Sequence, residues 1–177
     1  MSDVLTLDDV RLGGKVVLYR VDVNSPLEPS SGAFLDDSRL RAIIPTLRTL
    51  QNSKVVMLGH QSRPGKIDFT NMEQHADRIS RLIGKKVKFI SDICGDEAIS
   101  SIKNLKIGEM LFLDNIRMHD DENSMKKASL EETAQSEIVR KLSSVIDVYV
   151  TDAFAASHRN SPSLTGFYDS VPCIAGH

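Results

Sequence analysis

KVVLYRVDVN, residues 15–24, decides how this chain is read. Residues 15–19 form a short β-branched and aliphatic run of the kind that makes a buried strand, and Arg20, Asp22 and Asn24 stand where that strand should end. In an open α/β sheet, ligands bind outside the carboxyl ends of the strands. One stretch therefore predicts both a core element and one wall of a site.

The same arrangement recurs downstream. Residues 54–58 predict a second strand, buried on both faces as parallel sheets require, that stops at GHQSRPG, residues 59–65. Residues 87–90 predict a third. A fourth, residues 110–113, runs into Asp114, Asn115, Ile116 and Arg117, and a fifth, residues 148–150, leads to Asp152 and then to His158 and Arg159. Helical spacing fills the intervals. Leu40, Ile43, Ile44, Leu47 and Leu50 mark a helix capped near Asp36, Asp37 and Ser38 and kinked at Pro45. Residues 71–83 predict another helix, with Gly84 ending it. A short helix is expected around Ala98, Ile99 and Ile102, and a longer one carries Leu130, Ala134, Ile138, Val139 and Leu142. Residues 25–34 and 118–129 read as surface loops. Alternating strands and helices predict one domain: an α/β, three-layer, Rossmann-like fold with a mostly parallel central sheet and helices on both faces.

Composition narrows the function classes. The 177 residues are 41% hydrophobic and 26% charged, ordinary for a folded globular protein. Lys plus Arg total 22 against 24 for Asp plus Glu, so nothing in the net charge of -2 drives the chain toward nucleic acid or an anionic membrane. No signal-peptide pattern or membrane-length apolar run occurs, and the expected location is cytoplasmic. Cys94 and Cys173 lack metal or redox spacing and are expected to be reduced, buried and structural.

Parallel strands present their carboxyl ends to one edge, so His60, Arg63, Arg117 and Arg159 should gather with Asp22, Asn24 and Arg39, the last carried in the first turn of the helix after strand one. Taken singly, each has an ordinary reading: an arginine as a surface residue, a histidine as a loop residue, Asp22 as a turn cap, Arg20 as the structural partner of a nearby acid. Basic groups repeated at one end of successive strands instead make an anion pocket, because the guanidinium fork donates paired, charge-assisted hydrogen bonds to phosphate or carboxylate. Neither GxGxxG nor GxxxxGK[ST] is present, nor a GxSxG elbow or an HExxH pair. The pocket can hold an anion but offers no evident nucleophile or metal site.

RVDVN at 20–24, DDSRLRAIIPTL at 36–47, GHQSRP at 59–64, LDNIR at 113–117 and DAFAASHR at 152–159, in that order and spacing, together resemble phosphoglycerate kinase, with wording closest to the archaeal branch. Val23, Gln61, Ser62, Asp114, Met118 and residues 155–157 depart from the usual RVDFN, HLGRP, ENLRF and GTAHR. The resemblance implies that residues 1–177 are the N-terminal, substrate-binding domain, and that the C-terminal, nucleotide-binding domain lies outside this chain. It implies a site for 3-phosphoglycerate or 1,3-bisphosphoglycerate. Asp22 and Asn24 would take the hydroxyl and carboxyl end, His60, Arg63, Arg117 and Arg159 the phosphate, with His158 in support. Arg39 would act on the transferring phosphoryl group. Mg-ATP or Mg-ADP would serve the whole enzyme, bound by the other domain, and this chain alone would turn nothing over. The alternatives left open are a stand-alone binding module for small phosphorylated acids and a scaffold whose basic residues merely pair with acids.

Overall fold

The computed structural model describes residues 5–153 and 160–177. The strands are β1 (Val16–Arg20), β2 (Lys54–Leu58), β3 (Val87–Ile90), β4 (Met110–Leu113), β5 (Val148–Thr151) and β6 (Cys173–Ala175). All pair in parallel, in the order β3-β4-β2-β1-β5-β6. The stretch read first is thus a central strand, and Val17, Leu18 and Tyr19 are fully buried.

The helices are α1 (Ser38–Ala42), α2 (Ile44–Thr49), α3 (Glu73–Ile83), α4 (Asp96–Lys103), α5 (Asp120–Ser124), α6 (Leu130–Ala134), α7 (Glu137–Ser143) and α8 (Pro162–Thr165). Strand side chains alternate between two cores. Val17, Tyr19, Val55 and Met57 pack with Leu40, Leu47, Ala76 and Ile79 from α1, α2 and α3. Leu18, Val56, Leu58 and Tyr149 pack on the other face with Ala98, Ile102, Ile138, Val139 and Leu142 from α4 and α7. This is the expected three-layer α/β architecture.

Several details differ from the expected elements. Pro45 divides its helix rather than kinking it: α1 stops at Ala42, and Pro45 sits in the first turn of α2, where a missing N–H costs nothing. The helix expected over residues 130–142 is likewise two helices, because the Ser136 hydroxyl accepts from the Val139 N–H and starts a new one. Part of the expected loop 118–129 is α5, begun by His119 Nδ1 accepting from the Asp121 N–H. Gly84 ends α3 at φ 68, as the sequence suggests. Strand β6 was not expected; it pairs with β5, and Ala175 also bridges to Thr6, so the described start of the chain lies along this edge. No helix among the described residues is long and apolar enough to cross a membrane.

Candidate functional site

A cleft of about 1030 Å³ opens across the carboxyl ends of the strands. Arg20 and Asn24 reach it from β1, and His60, Ser62 and Arg63 from the loop after β2. Arg117 follows β4, Asn160 and Ser161 follow β5, and α5 and the residues just after it add Glu122, Asn123 and Lys126. The topology accounts for this position. The connections that follow β1 and β2 pack on one face, whereas α7 after β4 and α8 after β5 pack on the other. The loops therefore part between β4 and β2 and again between β1 and β5, and a gap opens over the strand ends.

Arg20 is buried, 2% exposed, and each of its three side-chain nitrogens has a partner. Its Nε donates to the Ser163 hydroxyl (3.1 Å), its Nη1 to the Val21 carbonyl (2.5 Å), and its Nη2 lies 3.2 Å from His60 Nδ1. A guanidinium only donates, so His60 Nδ1 must accept and the neutral ring carries its proton on Nε2. The acid expected beside Arg20 stands one hydroxyl away: Ser163 Oγ also donates to buried Glu122 (2.6 Å), which accepts from Ser161 Oγ (2.9 Å) and the Ser163 N–H (3.0 Å) as well.

The loop after β2 is fastened from several sides. Asn24 Oδ1 accepts from the Ser62 N–H (2.8 Å), and Arg117 Nη1 donates to the Ser62 carbonyl. Buried Asn115 donates through Nδ2 to the carbonyls of Gln61 and Thr70, both at 2.8 Å. Ser62 holds a left-handed backbone (φ 56), steadied by its hydroxyl donating to Asp68 (2.5 Å). Gly59 lets the loop start close to the core, since a Cβ there would meet Val21 and Val23 methyls at 3.0 and 3.1 Å.

Of the residues singled out in the sequence, Asn24, His60, Arg63 and Arg117 line this cleft together. Asp22 and Arg39 instead meet each other, Arg39 Nη1 donating to Asp22 at 2.5 Å, with the Arg39 side chain 51% exposed. His158 and Arg159 lie outside the described residues. Asp152 is held by hydroxyls from Tyr19 and Thr46, and burial pushes its carboxyl above the usual range. Asp114 is raised for the same reason; the N–H groups of Asn115 and Met72 act against the shift. Sequence reasoning missed Lys126, Glu122 and Ser62 as cleft residues. Only the Ser62 position, inside GHQSRP, carried a signal that could have found it.

Comparison with known proteins follows the same line. The phosphoglycerate kinase family matches residues 7–177. Phosphoglycerate kinase of Methanothermobacter thermautotrophicus is 45% identical over 173 residues, 97% of this chain and 42% of that protein. That of Methanothermus fervidus is 46% identical over 178 residues, 99% of this chain and 43% of the relative. The crystal structure of phosphoglycerate kinase from Pyrococcus horikoshii OT3 superposes with a TM-score of 0.92 at 41% identity, over 97% of this chain and 42% of that one. The structure from Coxiella burnetii, 23% identical with a TM-score of 0.76, shares the fold. This chain thus spans about 42% of the length of the relatives it matches, and within that span sequence and fold agree: the chain belongs to the phosphoglycerate kinase family.

Proposed function

We propose that this chain is the phosphoglycerate-binding domain of a phosphoglycerate kinase, serving reversible phosphoryl transfer between 1,3-bisphosphoglycerate and ADP to give 3-phosphoglycerate and ATP. The observation that carries the reading is the meeting of Asn24, His60, Arg63 and Arg117 in one cleft, drawn from the ends of three strands. In this reading His60, Arg63, Arg117 and Arg159 hold the phosphate, and His158 supports them. Asp22 and Asn24 receive the hydroxyl and carboxyl end. Arg39, poised on Asp22, neutralises charge on the transferring group. Phosphoryl transfer asks mainly for positioning and electrostatic stabilisation, which arginines and amide groups supply without a protein nucleophile.

Magnesium prefers oxygen ligands, usually carboxylates and phosphates. Cationic and amide groups dominate the cleft, its two carboxylates, Asp68 and Glu122, already accept from serine hydroxyls, and among the described residues no group of three or more His, Cys, Asp or Glu can hold a metal. In this reading the nucleotide and its magnesium belong to a second domain outside this chain, and this chain alone is expected to bind phosphoglycerate weakly and turn nothing over. Titration with 3-phosphoglycerate, followed by amide and side-chain NMR shifts, tests the reading. Shifts centred on Asn24, His60, Arg63 and Arg117 support it; a saturating titration that moves none of them overturns it, as does ATP-dependent turnover by the 177-residue chain for the assignment of the nucleotide site elsewhere.

A further inference from the structure

Behind the cleft wall lies Gln61, a fully buried amide that does not itself line the cleft. Its Oε1 accepts from the Ser25 N–H (3.2 Å) and faces His75 Nε2 (3.1 Å), while its Nε2 donates to the Ser25 carbonyl (2.9 Å) and reaches the Asp68 carbonyl (3.4 Å). The two bonds to the Ser25 main chain fix which end of the amide is oxygen and which is nitrogen. His75 must then present its proton on Nε2. All four hydrogen-bonding directions of the side chain are used, so it joins three segments that are remote in sequence: the loop after β1, the loop after β2 and helix α3.

The consequence falls on the neighbouring residues. Ser25 follows Asn24, and Ser62 follows Gln61, and these neighbours are themselves bonded, Asn24 Oδ1 accepting from the Ser62 N–H at 2.8 Å. With Oδ1 committed to the loop, the group Asn24 has left for the cleft is its NH2, a donor suited to a carboxylate or hydroxyl oxygen. We infer that Gln61 is a positioning residue: by stapling Ser25 to the β2 loop it holds Asn24 with its amide nitrogen toward the ligand, and so sets the preference for the carboxyl end of the substrate.

This inference rests on the phosphoglycerate reading for its ligand but not for its geometry, and the test separates the two. In the 177-residue chain, Gln61→Met keeps the length and bulk of the side chain and removes the staple. Hydrogen exchange at the Ser62 N–H should quicken by about tenfold relative to that of Val56 in the central sheet, the scale of one lost hydrogen bond. Preference for 3-phosphoglycerate over glycerol 3-phosphate, which lacks the carboxylate, should fall by about the same factor, while affinity for glycerol 3-phosphate stays nearly unchanged. A merely structural role would weaken both ligands alike. Unchanged Ser62 exchange in the variant overturns the staple, and so does an unchanged ligand preference in a chain that shows one. Should the native chain show no preference, the phosphoglycerate reading fails, and Ser62 exchange alone decides the staple. Should Gln61→Met not fold, the native chain still decides it: Ser25 and Ser62 N–H groups exchanging as slowly as Val56 support the staple, and exchange at the rate of an open loop overturns it.

Discussion

Lowering the pH should destabilise this protein through one ring. His75 is completely buried, set edge-on to Phe34, and burial lowers its pKa from 6.5 to about 4, with a main-chain contact to Val23 acting the other way. The folded ring therefore stays neutral down to about pH 4, while the unfolded ring takes up a proton below 6.5. Between those values the unfolded state binds more protons, so stability falls as pH falls. The contribution is fully present above the unfolded pKa and is lost toward the folded one, a loss of about 2.5 kcal/mol by about pH 4.5 at roughly 1.4 kcal/mol per pH unit. His75→Leu isolates the effect, because Gln61 Oε1 keeps the Ser25 N–H as donor. At neutral pH the variant should be less stable by about 1 kcal/mol for the lost Nε2 bond. By about pH 4.5 the order should reverse, since the acid penalty of about 2.5 kcal/mol is gone. Urea unfolding of both proteins across this range measures the difference directly. Parallel stability profiles would refute the reasoning, because carboxylates titrating in the same window act on both proteins equally.

Other perturbations follow from the site. Ser62→Ala keeps the left-handed backbone strain and loses the hydroxyl bond to Asp68, and should cost about 1 kcal/mol. Ser62→Gly loses the same bond but relieves about 1 kcal/mol of strain, and should be near neutral in the same unfolding assay. Arg20→Met breaks the buried chain from His60 through Ser163 to Glu122 and should destabilise by about 3 kcal/mol in urea unfolding. Burial pushes the Cys94 thiol up to about 11 and the Cys173 thiol up to about 12. Both should resist a disulfide reagent in the folded chain at neutral pH and react promptly in denaturant; rapid labelling of the native protein contradicts this.

The layers of the fold were legible because the inner strands are unbroken aliphatic runs, and no amphipathic helix competes for Val16–Arg20 or Lys54–Leu58. Strand β6 was not, since its three residues carry too little pattern and are completed by a bridge to Thr6 at the far end of the sequence. Helix α5 hid because its sequence, DDENS, has no apolar period; its buried residue is Glu122, an acceptor for serines. The division at Ser136 hid because the apolar spacing runs on across it. At the site, the strand-end rule was enough to gather Asn24, His60, Arg63 and Arg117. It could not foresee that Asp22 would meet Arg39, nor that Gln61 would turn inward, because both depend on how separate loops lie against each other.

The central place of β1 has a consequence during synthesis. This strand precedes the other five, yet its neighbours are β2, which soon follows, and β5, whose Val17–Val148 pairing waits until most of these residues have emerged. Until then one side of a buried, aliphatic strand presents unpaired N–H and C=O groups, the edge on which strands of separate chains can associate. The nascent chain therefore carries this aggregation hazard through most of its synthesis, and arrival of residues 148–151 is the event that ends it.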